Sequence, residues 1–178
     1  MTSPFQRPLA ATIAVALCAV LPLAAAPAAA AGCRLDSLVI APLDGPHGER
    51  WRGTRAGIEV LFHNDVQDHP VTLFPEPPVT VRRAGAAGEC RIDEGGVWAR
   101  DGVWLSADGR TLVTAESSGS ALDLVFHDTA TCARLDAVGI AGASWHVRDG
   151  RLALRRPEGR TSIELDASCR PAGPRRAP

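Results

Sequence analysis

The sequence predicts an all-β domain of antiparallel, blade-like sheets in two to three repeat units, stabilised by disulfides. No segment shows a helical period, because apolar residues alternate or run in short blocks bounded by Gly, Pro, Asp and Asn. Strand-and-turn patterns recur along the chain, and the cysteines outside the N-terminal region are even in number. These features fit either a partial propeller or a β-sandwich.

The N-terminal region has the order of a secretory signal peptide. Arg7 provides a positive charge, Leu9–Leu23 is almost entirely apolar, and an alanine-rich block follows as far as Ala31. The apolar run is short for a transmembrane span, and no stop-transfer pattern follows it. We therefore expect residues 1–31 to be removed near Ala31/Gly32, which leaves no transmembrane segment in a periplasmic or secreted chain.

The rest of the chain predicts one all-β domain over residues 32–170. Residues 171–178 contain Pro, Gly, Ala and Arg without a large apolar residue, and this composition predicts a disordered tail. The formal net charge of the whole chain is −1, which argues against a nucleic-acid binder.

The four cysteines that remain predict two disulfides in an exported domain. They are Cys33, Cys90, Cys132 and Cys169. We favour the pairs Cys33–Cys90 and Cys132–Cys169, because each would join the beginning and end of a repeat-like unit. The four lie too far apart for a typical zinc motif. The alternative is lipidation of Cys33, since residues 30–33 loosely resemble a lipobox, but it would leave one thiol unpaired.

The first half of the domain predicts three strands. Ile58–Phe62 alternates as a strand, residues 63–69 form a polar turn, and Pro70–Phe74 is the returning strand, with its proline at the first position. Residues Val79–Val81 begin another short strand.

The second half repeats this plan more regularly. An Asp-Gly hairpin signal at residues 108–109 joins two predicted strands. The predicted strands of this half are residues 102–106, 111–115, 122–126, 133–138, 143–147, 151–155 and 161–165.

Two sequence echoes suggest an internal repeat. The segment beginning at Cys33 (CRLD) is echoed at Cys90 (CRID), and Ile58–His63 is echoed by Leu122–His127 with the same parity. His63 and His127 therefore occupy equivalent positions, at the ends of strands that we expect to be exposed.

One unit resembles a known repeat family. Residues 104–113 (WLSADGRTLV), followed by residues 124–131 (LVFHDTAT), are similar to one blade of the WD40-like and YVTN-type β-propeller repeats. Those repeats place Ser-x-Asp-Gly between two strands and an Asp-x-x-Thr turn before the last. The resemblance covers residues 102–138, and it implies blade-like antiparallel sheets without any catalytic residue.

The candidate binding residues lie in polar loops and at a strand end. Trp51 stands in a charged segment and predicts an exposed contact outside the core. The loop of residues 63–69 combines imidazoles and carboxylates, which could also ligate a divalent metal. The candidates are Trp51, His63, Asp65, Asp68, His69 and His127.

The sequence favours a binding module over an enzyme. It contains no Gly-x-Ser-x-Gly elbow, P-loop or dinucleotide fingerprint, and its cysteines are expected to be oxidised. We predict a non-enzymatic envelope protein that has no cofactor and binds a protein or glycan. The alternatives are a metal-binding protein or metal-dependent enzyme that uses the 63–69 loop, and a structural envelope component.

Overall fold

A computed structural model describes residues 32–45, 47–65, 70–75, 78–86 and 88–172. The regular secondary structure of this part consists of β-strands, without helices. The prediction of an all-β fold is confirmed. The strands are β1 (Leu35–Ser37), β2 (Ala41–Pro42), β3 (Arg50–Arg55), β4 (Ile58–His63), β5 (Leu73–Phe74), β6 (Val79–Arg83), β7 (Glu89–Ile92), β8 (Val97–Ser106), β9 (Thr111–Ser118), β10 (Ala121–Asp128), β11 (Arg134–Gly139), β12 (Ser144–Arg148), β13 (Arg151–Arg156) and β14 (Gly159–Glu164).

The strands form three antiparallel sheets. The six-stranded sheet has the order β1-β8-β9-β10-β11, with β5 added alongside β8. The five-stranded sheet has the order β2-β3-β4-β6-β7, and the three-stranded sheet has the order β12-β13-β14. Most neighbouring strands in the chain are therefore also neighbours in a sheet, as hairpin connections require.

The six-stranded sheet is the middle of three layers. In β9, Leu112 belongs to a first core with Val60 of the five-stranded sheet, whereas Val113 belongs to a second core with Leu152 of the three-stranded sheet. Successive side chains of a strand point to opposite faces, so both faces of the middle sheet are covered. The sheets are stacked and do not form a closed propeller.

The segment that resembles a blade is a hairpin with well-defined turn chemistry. The Ser106 hydroxyl accepts hydrogen bonds from the amides of Arg110 (3.1 Å) and Thr111 (2.9 Å), and it donates to Asp108 Oδ1 (2.6 Å). Gly109 has a φ of 70°, in the left-handed region that favours glycine. The Ser-x-Asp-Gly motif thus specifies a turn, and a turn of this kind suits any antiparallel sheet.

The predicted hairpin between residues 58–62 and 70–74 is wrong. Only Leu73–Phe74 is extended and paired, and it pairs with β8 of the middle sheet, while β6 takes the place beside β4. Phe74 stacks on Phe62 with ring centroids 4.7 Å apart, so packing between the two sheets determines its position.

All four predicted cysteines are in disulfides, but the pairing that we favoured is wrong. The bridges are Cys33–Cys169 and Cys90–Cys132. The first joins the two ends of the described domain, and the second joins β7 of the five-stranded sheet to the turn before β11. Neither bridge therefore joins the beginning and end of a sequence repeat, as the predicted pairing required. Because Cys33 is bonded to Cys169, its sulfur is not free for a lipid.

The predicted boundaries lie at the limits of the described chain. Residues 1–31 and 173–178 are outside it, whereas Pro171 pairs with Leu165 in an isolated bridge and the Ala172 amide donates to the Glu164 carbonyl (2.8 Å). Within the described part of the chain, no helix has the length and apolar character needed to cross a membrane.

Candidate binding site

A buried row of rings connects the two regions in which we predicted binding residues. The centroid distances are 5.9 Å from Trp51 to Phe74, 4.7 Å from Phe74 to Phe62, 5.7 Å from Phe62 to Trp98 and 6.4 Å from Trp98 to His127. The row crosses the first core from the five-stranded sheet to the middle sheet. Trp51 and His127 therefore lie at the two ends of one row of packed rings in the first core.

The predicted exposure of Trp51 is wrong, because its side chain is only 5% exposed. Its indole nitrogen donates to the Gly48 carbonyl (2.9 Å), which satisfies its one polar group within the fold. The neighbours Arg50 and Arg52 are exposed on the opposite face of β3. The alternation of charged and uncharged residues in Arg-Trp-Arg-Gly is the strand signal that identifies Trp51 as a core residue.

The described part of the predicted polar loop begins at the end of β4. His63 and Asp65 are exposed, and the intervening Asn64 is buried. Asp68 and His69 lie outside the described residues. The contribution of residues 63–69 to binding stays a prediction.

His127 lies in a different environment from His63, although the sequence repeat predicted equivalent positions. His63 is exposed in the five-stranded sheet, whereas His127 is 2% exposed in the middle sheet. The expectation of an exposed strand end at His127 is wrong because the five-stranded sheet covers this face of β10. The same side of β10 that carries Asp123 becomes an interior surface at His127.

Glu116 on β9 is the partner of His127, and the sequence interpretation missed it. Glu116 Oε1 is 3.3 Å from His127 Nε2 and accepts a hydrogen bond from the Thr114 hydroxyl (2.7 Å). Its other oxygen accepts from the Gly96 amide (3.3 Å). Thr114 and Glu116 alternate with apolar residues along β9, and this polar spacing beside a histidine-bearing strand is a signal that could have identified the cluster.

The cluster holds Glu116 in its ionised form. Burial raises the pKa of the Glu116 carboxyl, but the hydrogen bonds from His127, Thr114 and Gly96 outweigh it and lower the pKa below its usual value. An ionised carboxylate only accepts hydrogen bonds, so His127 Nε2 carries the proton in this contact. His127 Nδ1 is then buried without a hydrogen-bond partner among the described residues.

A pocket of about 260 Å³ opens above this cluster. Its wall includes Glu116, His127 and Cys132, so one disulfide contributes directly to its shape. The remaining charged residues that line it are Arg91, Asp93, Glu94 and Arg134. The pocket therefore combines a buried carboxylate and imidazole with exposed charges of both signs.

This arrangement favours binding and lacks the geometry of nucleophilic catalysis. The Thr114 hydroxyl donates to the carboxylate of Glu116, whereas an activated nucleophile would donate to the imidazole. No group of three or more potential metal ligands occurs among the described residues. The polar groups can instead accept and donate hydrogen bonds to an incoming side chain.

We expect Glu116→Gln to lower the free energy of unfolding by about 1–3 kcal/mol at pH 7, because a charge-assisted hydrogen-bond acceptor is lost in a buried site. The lowered pKa of Glu116 in the folded state contributes stability above its unfolded pKa, and this contribution is lost as the pH falls through the folded pKa. Urea unfolding of both proteins from pH 7 to pH 3 should show the difference shrinking with acidity. A difference that is constant or grows would contradict the assignment.

The fold and the pocket define a disulfide-bonded, three-layered β-protein with a polar pocket at its middle sheet. The family model described as "Immune protein Tsi1" matches residues 33–172. Immune protein Tsi1 of Pseudomonas aeruginosa strain PAO1 is 40% identical over 125 residues, which cover 69% of this chain and 72% of that protein. The chain belongs to the Tsi1 family of immune proteins.

Family membership tests two expectations from the sequence, the resemblance to propeller repeats and the absence of enzymatic activity. The resemblance to WD40-like and YVTN-type propeller repeats is wrong, because the match lies with an immune-protein family and the sheets are stacked in layers. The expectation of a non-enzymatic protein is confirmed by the same match.

Proposed function

We propose that this chain protects its own cell by binding and neutralising a toxic protein outside the cytosol. The match to an immune-protein family over residues 33–172 is the observation that carries this proposal. The absence of a catalytic arrangement in the described residues supports a stoichiometric inhibitor over an enzyme that degrades the toxin.

A protein partner is favoured over a glycan by the placement of the aromatic side chains. Trp51 and Trp98 are buried, and Trp104 and Trp145 are partly buried against each other with centroids 4.8 Å apart. Sugar-binding surfaces commonly use an exposed aromatic ring as a platform, and none of the four tryptophans offers one.

We propose the pocket above Glu116 and His127 as part of the contact surface. A partner side chain with an N–H or O–H donor would hydrogen-bond to the ionised Glu116 carboxylate. Glu94 and Arg134, which we call the rim of the pocket, line it and form no ion pair among the described residues. Their opposite charges would add specificity by selecting a partner surface with complementary charges. The loop of residues 63–69 is proposed as a second contact, since loops on a rigid scaffold often carry binding residues.

We further propose that residues 1–31 direct export and are removed. Two disulfides support this location, since such bonds persist in oxidising compartments and are rare in the cytosol. An immune protein placed there would meet its toxic partner in the same compartment.

A co-culture experiment tests the proposed function. The gene is deleted in its source organism, and the deletion strain is grown on a surface mixed with its parent. We expect the deletion strain to be outcompeted, and the full chain supplied on a plasmid to restore its survival. A copy without residues 1–31 should fail to protect while accumulating in the cytosol. Equal survival of the deletion strain and the parent would contradict the proposed function.

Variants of the same plasmid copy test the contact surface. Glu94→Arg with Arg134→Glu reverses both unpaired rim charges without changing the net charge of the chain. We expect this variant to fold and to lose protection, whereas the matched swap Arg151→Glu with Glu164→Arg, in an exposed ion pair away from the pocket, should protect normally. Full protection by the rim variant would remove the pocket from the contact surface.

A further inference from the structure

The three-stranded sheet has an outer face that no described element covers. Its inner face places Leu152, Leu154 and Leu165 in the second core. The outer face alternates with these positions and is formed by cross-strand rows of side chains. From one end of the sheet to the other, the rows are Ser144-Arg155-Arg160, His146-Ala153-Ser162 and Arg148-Arg151-Glu164.

Arg155 and Arg160 stand directly opposite each other in the first of these rows. Like charges in directly opposed positions destabilise a sheet. Both side chains are exposed, and neither makes an ion pair or hydrogen bond within the described part of the chain. This sheet therefore contains a pair of positive charges whose mutual repulsion is not offset by any carboxylate of the described residues.

This lack of a partner is unusual among the arginines of this protein. Most described arginines lie 3.9 Å or less from a carboxylate oxygen, and Arg83 donates instead to the Thr129 hydroxyl (2.7 Å). At the other end of the same face, Arg148 is 3.4 Å from Asp149 and Arg151 is 2.7 Å from Glu164. The sheet thus carries two opposed arginine pairs, of which only one has carboxylates.

A depression of about 430 Å³ lies beside the unpaired arginines. Ala153 occupies the middle of the central row, where its short side chain leaves space between longer neighbours. His146 and Ser162 lie on either side of Ala153 and add polar groups. An extended polypeptide lying across the sheet could occupy the depression at Ala153, next to two guanidinium groups.

We infer that this face is a docking surface for an acidic polypeptide segment, with a carboxylate held between Arg155 and Arg160. A carboxylate matches the planar guanidinium group and can accept two parallel hydrogen bonds from it. Binding would place a negative charge between two positive charges that now repel each other. The inference concerns a second surface and does not depend on the proposed function, because the pocket above Glu116 is lined by residues of the other two sheets.

The small number of unpaired arginines favours a polypeptide over an anionic membrane. Attraction to such a membrane typically uses a local cluster of about 4–8 basic residues, whereas Arg148 and Arg151 on this face are already paired with carboxylates. A short acidic segment, in contrast, contacts only the local arginine pair. The surface is thus suited to a local contact with one polypeptide.

An end-blocked peptide of six glutamates is the probe for the experiment, titrated into the mature protein at low salt and followed by amide shifts in NMR spectra. We expect the largest shifts at His146, Ala153 and Ser162. Arg155→Gln with Arg160→Gln should weaken the affinity by about fivefold, as expected for the loss of two exposed charge pairs. The matched control is Arg148→Gln with Arg151→Gln, which removes two charges from the same face and should change the affinity by less than about twofold.

Ala153→Gln separates a shaped site from diffuse attraction, because it fills the depression and leaves both arginines in place. We expect this variant to fold, as judged by circular dichroism, and to bind the peptide less tightly. Equal affinity of Ala153→Gln and the parent, or equal losses in the two double variants, would overturn the inference. Binding to phosphatidylglycerol vesicles without binding to the peptide would also overturn it.

Discussion

Replacing Cys33 and Cys169 together by alanine is expected to lower the free energy of unfolding by about 5 kcal/mol, from the chain-entropy cost of a loop with a sequence separation of 136. The bridge lowers the conformational entropy of the unfolded chain, because it closes a loop that contains almost the whole domain. A loss of this size is a large fraction of the stability of a typical domain. Urea unfolding of the mature protein under non-oxidising and non-reducing conditions measures it directly.

The second bridge provides the control for this result. Replacing Cys90 and Cys132 by alanine removes a bridge that closes a shorter loop, with a separation of 42, and the same relation gives a loss of about 4 kcal/mol. The Cys33–Cys169 variant should therefore be the less stable of the two. The reverse order would mean that the Cys90–Cys132 bridge acts mainly by holding β7 against the middle sheet in the folded state.

The local features of the fold were predictable because they depend on neighbouring residues. Apolar patterns identified β4, β10 and β13, and the Asp108-Gly109 pair identified the hairpin that joins β8 to β9. The side chains that form the Ser106 turn are all within five residues of each other. Such signals do not require knowledge of which sheets pack together.

The long-range features were not predictable for the corresponding reason. The cysteine pairing depends on how the chain ends meet, and the sequence repeat gave no information on that contact. The position of β5 beside β8 depends on the packing of Phe74 against Phe62 between two sheets. A two-residue strand carries too little pattern to indicate its partner.

The candidate site also combines a local feature that was predictable from the sequence with a long-range feature that was not. The sequence identified His127 but gave it an exposed position, because a polar residue on an alternating strand normally faces solvent. In a middle sheet both faces are interior, so the polar positions of β9 and β10 meet as Thr114, Glu116 and His127. The three-layer arrangement therefore creates the site, and neither strand alone predicts it.

Replacing Trp51 by alanine is expected to lower the free energy of unfolding by about 3–5 kcal/mol, because it removes a large buried ring from the end of the aromatic row. The sequence interpretation predicted the opposite outcome, an intact fold with weaker partner binding. Burial of the ring and the hydrogen bond from its indole nitrogen to the Gly48 carbonyl account for the change. Thermal and urea unfolding of the purified variant measure the loss.

Two further variants show which property of Trp51 matters. Trp51→Phe keeps most of the packing but removes the indole N–H, so it should cost less than Trp51→Ala. Arg50→Ala removes an exposed neighbour whose guanidinium contacts Asp44 at 2.7 Å, and an ion pair this exposed contributes little to stability because water screens it. Any loss of protection by Trp51→Ala in co-culture should then follow the fraction of folded protein. A variant that folds as stably as the parent but no longer protects would instead place Trp51 in the contact surface and contradict its assignment to the core.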